Sequence, residues 1–461
     1  MITFSVPEYR EECQQGLVGP GIEFEVAMAE ESRFNPEVVT LLDTLTGPYI
    51  EPELENNGAS KPEGAARQLL GWVYRACKDA DWPVFQLGTF EPEVGLDLSG
   101  RYYLPTRRTT PFLPFRLFKV LLTALLKDAG DWDRVAFDDE FLRLNRLLKV
   151  NGLSGSNQRW ALLGALKRGH TATETTNNIF QIGQGKSARL TRGTVVERNS
   201  QLLTEIQTDK MATARLLRLH GIPTVEHRRV YSDAHAVAAA EAIGYPVVLK
   251  PFNGTQGEGV QADIRDQPQL LRALAAKTFD TKRGIIERYV PGDIARIGVS
   301  NGKIIEVRVN RMAVVVGDGR STFMTLLQHL AERELDEPGK EIKQVVDLDK
   351  LIERVKLAEI REKNAVDFDS IIENGRKIRV LDFPSRWLGA PVHWDKTEDL
   401  SEVYREIIRK LQRLFGEGPL GIDVLNYSNI RPEDSVINEV NFGPGMPFTQ
   451  AHKPLLDSLN L

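Results

Sequence analysis

The chain has 461 residues, 41% hydrophobic and 27% charged, with a net charge of -5. That length allows two or three domains with cores of their own, and the slight acidic excess argues against nucleic acid as the main partner. Two cysteines and seven histidines suggest neither a disulfide framework nor a metal-ligand spacing. With no leader-like N-terminus and no apolar run of membrane-spanning length, a soluble, cytoplasmic protein without a membrane partner is expected.

Residues 1–155 hold helical patterns at ARQLLGWVYRACKDAD (66–81), FRLFKVLLTALLKDAG (115–130) and DDEFLRLNRLLKV (138–150), with a few short strand candidates between them. This reads as a mixed helical and strand N-terminal domain of unknown role, carrying no motif tied to chemistry. From residue 156 helix and strand alternate. Thr208 reads as the N-cap of a helix that Gly221 and Pro223 end. TVEHRRVYS follows as a strand, Ser232 caps the helix DAHAVAAAEAI, and Gly244 stops it. YPVVLKP is a β-branched strand, QPQLLRALAAK a helix and GIIERYV a strand. Asn301-Gly302 between RIGVS and KIIEVRV predicts a hairpin, and Asn374-Gly375 between DSIIE and RKIRV predicts another. LSEVYREIIRKLQRLF is a helix, and LGIDVLNY and SVINEVN form a strand pair. Recurring hairpins among alternating elements point to an α+β fold rather than a doubly wound parallel sheet.

Three constellations carry chemistry. In KPFNGTQGEG (250–259) a strand ends in Lys250, and a loop with Gly254, Gly257 and Gly259 follows. Such glycines let backbone N–H groups approach a phosphate, and the lysine adds a point charge. A lysine at a strand end contributes little to packing, so its removal is expected to cost nucleotide affinity more than stability. The competing reading is an ordinary loop. Second, Glu439 and Asn441 share one strand face by alternation, and a paired strand can bring Asp423 onto it. The result is an oxygen set suited to Mg²⁺ that is also held by substrate phosphates. The apolar residues around these positions argue against a merely solvated face. Third, IIERYVPG (285–292) is a strand running into an extended exit, which leaves backbone groups open to the edge of a purine; a plain Pro-Gly turn is the competing reading.

Other nucleotide motifs fail. GQGKS (183–187) resembles the tail of a P-loop, but Phe180 stands where glycine is required. The dinucleotide fingerprint is missing. The scattered histidines, His227 and His393 among them, read as surface or packing residues.

Taken in order, these segments resemble the ATP-grasp fold, in which two α+β subdomains grip ATP, and more closely the ATP-grasp portion of cyanophycin synthetase. The segments are TDKMATARLLRLHGIPT (208–224), GYPVVLKPFNGTQGEGV (244–260), IIERYVPG (285–292), VVGDGRST (315–322), LGIDV (420–424) and INEVNFGPGM (437–446), with FQIGQGK (180–186) leading in. The match spans about 160 to 450 and leaves no room for a Mur-ligase-like half, so a stand-alone relative is expected. The organisation implied is a lead-in at 156–222, a small ATP-grasp subdomain at 223–295 and a large one with the metal site at 296–461.

The resemblance assigns roles. Lys210 and Lys250 look like the two lysines that hold ATP phosphates from opposite sides, and 253–259 looks like the flap above them. Glu287, Tyr289 and Val290 resemble the adenine connector. Asp423, Glu439 and Asn441 match the positions that hold two Mg²⁺. Arg296 resembles an arginine near the transferred phosphoryl group, and Arg386 a second cation. Asp293 lies one position before the slot of the ribose-binding acid, which Ile294 takes. Gln256 and Glu258 replace the His and Arg that the resemblance favours, which departs from the arginine and aspartate specificity of cyanophycin synthetase. The activity implied is ATP-dependent joining of a carboxylate and an amine through an acyl phosphate. The substrates would be amino acids or small peptides, and a homo-oligomer is compatible with the resemblance. Two alternatives are a kinase of the same fold and a non-catalytic ATP-binding protein.

Overall fold

A computed structural model describes residues 2–461 apart from 12–18, 29–32, 48–49, 51, 55–62, 94–97, 129–130, 154, 253–258, 277–279, 282–283, 333–334, 338–339, 343–347, 356–359, 362–364, 382, 385–391 and 446–448. The chain forms two compact units, Met1–Glu197 with Leu456–Leu461, and Arg198–Leu455. The segment 156–222, read from sequence as one lead-in, is thus divided between them. Among the described residues no helix is long and apolar enough to cross a membrane.

The first unit is built on a sheet of β1 (Ile2–Phe4), β2 (Glu8–Arg10), β3 (Gly21–Met28), β4 (Thr89–Pro92) and β5 (Gly100–Pro105), in the order β1-β3-β5-β4 with β2 also on β3. Alternation along β3 turns Ile22, Phe24 and Val26 inward and leaves Glu23 and Glu25 to pair with Arg10 and Arg101. Helices α1 (Pro36–Thr46), α2 (Gly64–Asp79), α3 (Leu113–Leu125) and α4 (Arg134–Val150) pack into the same core, where Phe24, Tyr102 and Phe118 stack and tilt against one another. Helix α5 (Ser156–Lys167) leads to a second sheet of β6 (Ala172–Thr176), β7 (Ile179–Ile182), β8 (Arg189–Arg192) and β9 (Val195–Val196). The three helices expected in this half are all present.

The second unit opens with α6 (Gln201–Ile206) and α7 (Lys210–Leu219). Asp209, not Thr208, caps α7: its carboxylate accepts from the Met211 and Ala212 amides, while the Thr208 hydroxyl turns back to the Glu205 carbonyl. A carboxylate at this position also favours the helix dipole. Four strands follow, β10 (His227–Val230), β11 (Val247–Pro251), β12 (Gln261–Ile264) and β13 (Gly284–Arg288), in the order β10-β13-β11-β12. Between them, α8 (Asp233–Ile243) is capped by Ser232 and stopped by Gly244 as expected, and α9 (Gln267–Ala275) is capped by Asp266.

The next strands are β14 (Ile294–Ser300) and β15 (Lys303–Asn310). Asn301 and Gly302 between them both take positive φ, +47° and +74°, which gives the tight turn that Asn-Gly favours. The Asn374-Gly375 hairpin does not form. DSIIE contributes only an isolated bridge from Ile371 to Thr322, and β19 (Lys377–Arg379) pairs instead with β16 (Val314–Val316). That pairing belongs to a separate core with α10 (Phe323–Ala331) and α11 (Leu348–Arg354), in which Ile372 and Ile378 are buried. Burial of those two side chains overrides the local turn preference. A small hairpin, β17 (Leu335–Glu337) with β18 (Lys340–Ile342), lies between α10 and α11 in sequence.

Three further strands, β20 (Val392–Asp395), β21 (Leu420–Leu425) and β22 (Val436–Phe442), complete the sheet β20-β15-β14-β21-β22. The helix Glu402–Phe415 buries Tyr404, Ile408, Leu411 and Phe415 along one stripe. All pairings in this sheet are antiparallel, as the sequence pattern required.

Candidate active site

The sheet β10-β13-β11-β12 has two unlike faces, and β11 shows why. Val247 and Leu249 point into an apolar core with α8 and α9, where Ile286 of β13 joins them. The alternate residues, Val248 and Lys250, point to the other face. There Val248, Ala262 and Tyr289 form a small separate apolar cluster, with Val260 and Phe383 against it. Beside that cluster stand three polar groups. β10 and β13 pair with His227 opposite Glu287, and Lys250 lies one step along, opposite Ile285. Lys250 Nζ lies 2.6 Å from both Glu287 carboxylate oxygens, donating to Oε1, and His227 Nε2 lies 3.2 Å from Oε2. Burial would raise the Glu287 pKa, but the Lys250 ammonium and the His227 ring outweigh it and hold the carboxyl at about 2.

Lys250 is therefore more than a loose strand-end cation. Removing it leaves Glu287 as an unpaired charge in a buried place. The sequence reading, that a strand-end lysine contributes little to packing, did not foresee this ion pair.

Lys210 reaches the site from the first turn of α7. Two sets of bonds dock that region on the edge of β22. Gln207 accepts from the Phe442 amide at 3.1 Å, and Pro223 and Thr224 bracket Ile437 through its N–H and carbonyl. Lys210 Nζ thereby stands 3.7 Å from Glu439 Oε2. Burial first, and the nearby Lys250 charge second, push the Lys210 pKa below its ordinary value, while Glu439, Glu287 and Asp423 act the other way. Lys210 thus feels the Lys250 charge and the three carboxylates together.

The candidate metal positions are set by register. Across β15, β14, β21 and β22, Arg308, Arg296, Asp423 and Glu439 fall opposite one another in a single row. Arg296 forks onto Asp423 through Nε and Nη2, the latter at 2.7 Å from Oδ2. The fork crosses Gly421, where an added Cβ would lie 3.2 Å from the Arg296 guanidinium. Asn441, two residues beyond Glu439, donates from Nδ2 to Glu439 Oε1 at 2.8 Å. Burial raises the Asp423 pKa even beside Arg296, and Glu439 adds to the rise. Glu439 is held below its ordinary value despite its burial, by Lys210 and Asn441.

This donor set fits Mg²⁺. Two neighbouring carboxylates and an amide oxygen are hard ligands of the kind a divalent cation takes. Among the described residues no group of three or more His, Cys, Asp or Glu gathers as a metal cage. A Mg²⁺ that shares its ligands with substrate phosphates does not need one.

The remaining sequence candidates fall as follows. Gly259 is buried with φ +70°. Gly254, Gly257 and Arg386 lie outside the described residues. Tyr289 is buried, and its hydroxyl accepts from Arg379 at 2.6 Å. The Arg288 and Tyr289 amides are committed to Glu226 and Pro246 carbonyls. The open backbone expected from Glu287 onward therefore begins at Val290, where Pro291 turns the chain out of the sheet. Asp293 accepts from Arg311 at 2.9 Å and from the Met312 amide at 3.2 Å, which braces the start of β14.

Sequence reasoning missed three participants. His227 was read as a surface or packing residue. Val248 and Ala262 gave no signal beyond apolarity, although strand alternation already placed Val248 on the face of Lys250.

Comparison with known proteins bears on the fold. Residues 195–280 match a family model described as an ATP-grasp domain. The chain is 28% identical over 277 residues to a cyanophycin synthetase of Geminocystis herdmanii, a match covering 58% of this chain and 31% of that protein. It is 30% identical over 107 residues to a D-alanine–D-alanine ligase of a Synechococcus species, covering 23% and 32%. A bifunctional glutathione synthetase from Pasteurella multocida aligns in structure with a TM-score of 0.45 at 16% identity, over 75% of this chain and 51% of that one. The chain spans less than two-fifths of the length of the cyanophycin synthetases it matches, 31% of one and 38% of another. It carries an ATP-grasp domain related to that of the cyanophycin synthetases.

Proposed function

We propose that the protein is an ATP-dependent carboxylate–amine ligase, forming an amide or peptide bond between amino acids or small peptides through an acyl phosphate. One observation carries this reading: Lys210 Nζ stands 3.7 Å from Glu439 Oε2, and Glu439 lies directly opposite Asp423 across the sheet. A cation for a polyphosphate therefore stands beside the oxygen set for its metal.

Each group then has a task. Lys210 and Lys250 bind phosphate oxygens from two sides. The Val248, Ala262 and Tyr289 cluster takes the adenine, and Val290 offers backbone to its edge. Asp293 lies near the ribose. Asp423, Glu439 and Asn441 would hold Mg²⁺, as two ions, which would supply charge neutralisation on the transferring phosphoryl group. Arg296 keeps Asp423 oriented and adds a fixed positive charge next to it. Arg386 is a second cation, and the glycine flap 253–259 excludes water.

A carboxylate resists an amine because its charge repels the nucleophile and oxide is a poor leaving group. Attack of a carboxylate oxygen on the γ-phosphorus breaks the bond to the bridging oxygen and releases ADP. The amine then attacks the acyl carbon, phosphate departs with one former carboxylate oxygen, and the amine loses a proton. A screen of amino-acid pairs for ADP release, followed by mass spectrometry, tests this. An amide product supports it. A phosphorylated substrate without an amide favours a kinase, and ATP binding without turnover favours a non-catalytic binding protein.

A further inference from the structure

Arg229 lies in none of the segments that read as nucleotide motifs, yet the pairing of β10, β13 and β11 sets it in the row of Lys250. Both residues stand opposite Ile285, and residues directly opposite in a sheet share a face. The alternate residues Val230, Ile286 and Leu249 fill the core with α8 and α9. Arg229 therefore stands with Lys250 on the face turned away from that core.

The side chain does not simply run into solvent. Its guanidinium carbon lies 4.7 Å from the centre of the Phe252 ring and 5.6 Å from that of the Tyr231 ring. Phe252 follows Lys250 by two residues, just past the end of β11, so the guanidinium has reached across β13 to the strand that carries Lys250. Its neighbour in sequence behaves differently. Arg228 belongs to the opposite face and pairs with Glu226 at 3.3 Å. Arg229 has two rings beside it and, among the described residues, no acid partner. Aromatic faces hold a guanidinium by its plane and leave the N–H groups at its edge for an anion. An arginine stacked on a ring is by itself an ordinary surface arrangement. Its place in the row of Lys250 sets this one apart.

Position along β11 identifies the anion. The Val248 cluster marks the adenine end of this face, and Lys250 marks the phosphates. Phe252 continues the same direction by two residues, about 7 Å. A nucleotide running from Val248 past Lys250 brings its last phosphate, the one that is transferred, toward the guanidinium. We propose that Arg229 binds the terminal phosphate of ATP, as a further cation beside Lys210 and Lys250. This rests on the reading of the site as a nucleotide site. Its effect must therefore separate a triphosphate from a diphosphate.

Calorimetric titration with Mg²⁺ and either ADP or a nonhydrolysable ATP analogue makes that separation. The salt is set at about 0.15 M, where exposed charges farther apart than roughly 8 Å are largely screened. Arg229→Gln removes the charge and keeps a polar side chain, while Arg229→Lys keeps the charge without the planar fork. The expected result for Arg229→Gln is a loss of about tenfold in affinity for the analogue, the scale of a lost hydrogen bond to a charged group. Its ADP affinity is unchanged, and Arg229→Lys loses less than Arg229→Gln. The urea unfolding midpoint stays in place in both, since the position is exposed. Equal losses for the two nucleotides, no loss for either, or a Lys variant as weak as the Gln variant would overturn the role of Arg229 and leave the nucleotide site standing. A wild-type protein that binds neither nucleotide would overturn both.

Discussion

In the first unit the guanidinium of Arg107 is closed off on every side. Glu174 pairs with it, the Asn151 carbonyl accepts from it, and the Trp82 ring lies 5.6 Å from its centre, with both charged side chains 1% exposed. Arg159 is held in the same way by Glu53, the Trp82 and Val84 carbonyls and the Phe85 ring. In the second unit the charges of Lys210, Arg296, Asp423 and Glu439 line one face, with side chains 14–26% exposed. The two regions use the same residue types. A buried ion pair saturated by carbonyls has no capacity left for a ligand and only holds the chain in place. A row of charges with donors and acceptors turned one way keeps that capacity, and pays for it with perturbed protonation.

The contrast can be broken most sharply at Arg107. Arg107→Met leaves Glu174 charged and buried, and stability should fall by about 3–5 kcal/mol, as for other split buried pairs. Urea unfolding measures it, and a loss below about 1 kcal/mol, the range of ordinary substitutions, would deny the pair its structural role.

Glu439→Gln in the second unit should do the reverse, leaving the unfolding midpoint in place and lowering turnover at least about a hundredfold, the scale of a lost electrostatic stabiliser. Near-normal turnover would remove Glu439 from the site.

Lys250 sharpens the comparison because it has a part in both behaviours. Lys250→Ala alone should lose stability, since Glu287 is stranded. The double variant Lys250→Met, Glu287→Gln should regain that stability and still bind a nonhydrolysable ATP analogue about tenfold more weakly, as expected for a lost charge-assisted contact. Unchanged affinity would show that Lys250 meets no phosphate.

The smallest effect concerns acid. The Glu287 pKa is depressed from 4.5 to about 2. A depressed acid stabilises the fold fully above its unfolded value and loses that contribution as pH falls through the folded one. Wild type should therefore lose stability from about pH 4.5 down to about 2 in excess of Glu287→Gln. Parallel pH curves for the two proteins would contradict the pairing.

How much was legible in the sequence follows from what each feature depends on. Ser232, Gly244 and Asn301-Gly302 act through their own backbone, and the structure bears them out. Asp209 displaced Thr208 because two adjacent cap candidates compete, and the carboxylate satisfies two amides at once. Asn374-Gly375 misled because Ile371 bridges to Thr322 and β19 pairs with β16, in a core these flanking residues share with α10 and α11. The strand pair carrying Asp423 and Glu439 was readable from alternation. The fork from Arg296 was not, since it needs the register of a third strand 127 positions away. His227 was invisible for the same reason: its partner Glu287 is brought opposite it only by sheet order.

The most direct test of the ligase reading follows oxygen. Carboxylate substrate labelled with ¹⁸O, incubated with ATP and the amine identified by the ADP screen, should pass one label into the released phosphate, with ADP as the sole nucleotide product. Phosphate free of label, or AMP and pyrophosphate among the products, would contradict the acyl phosphate even with the fold as described.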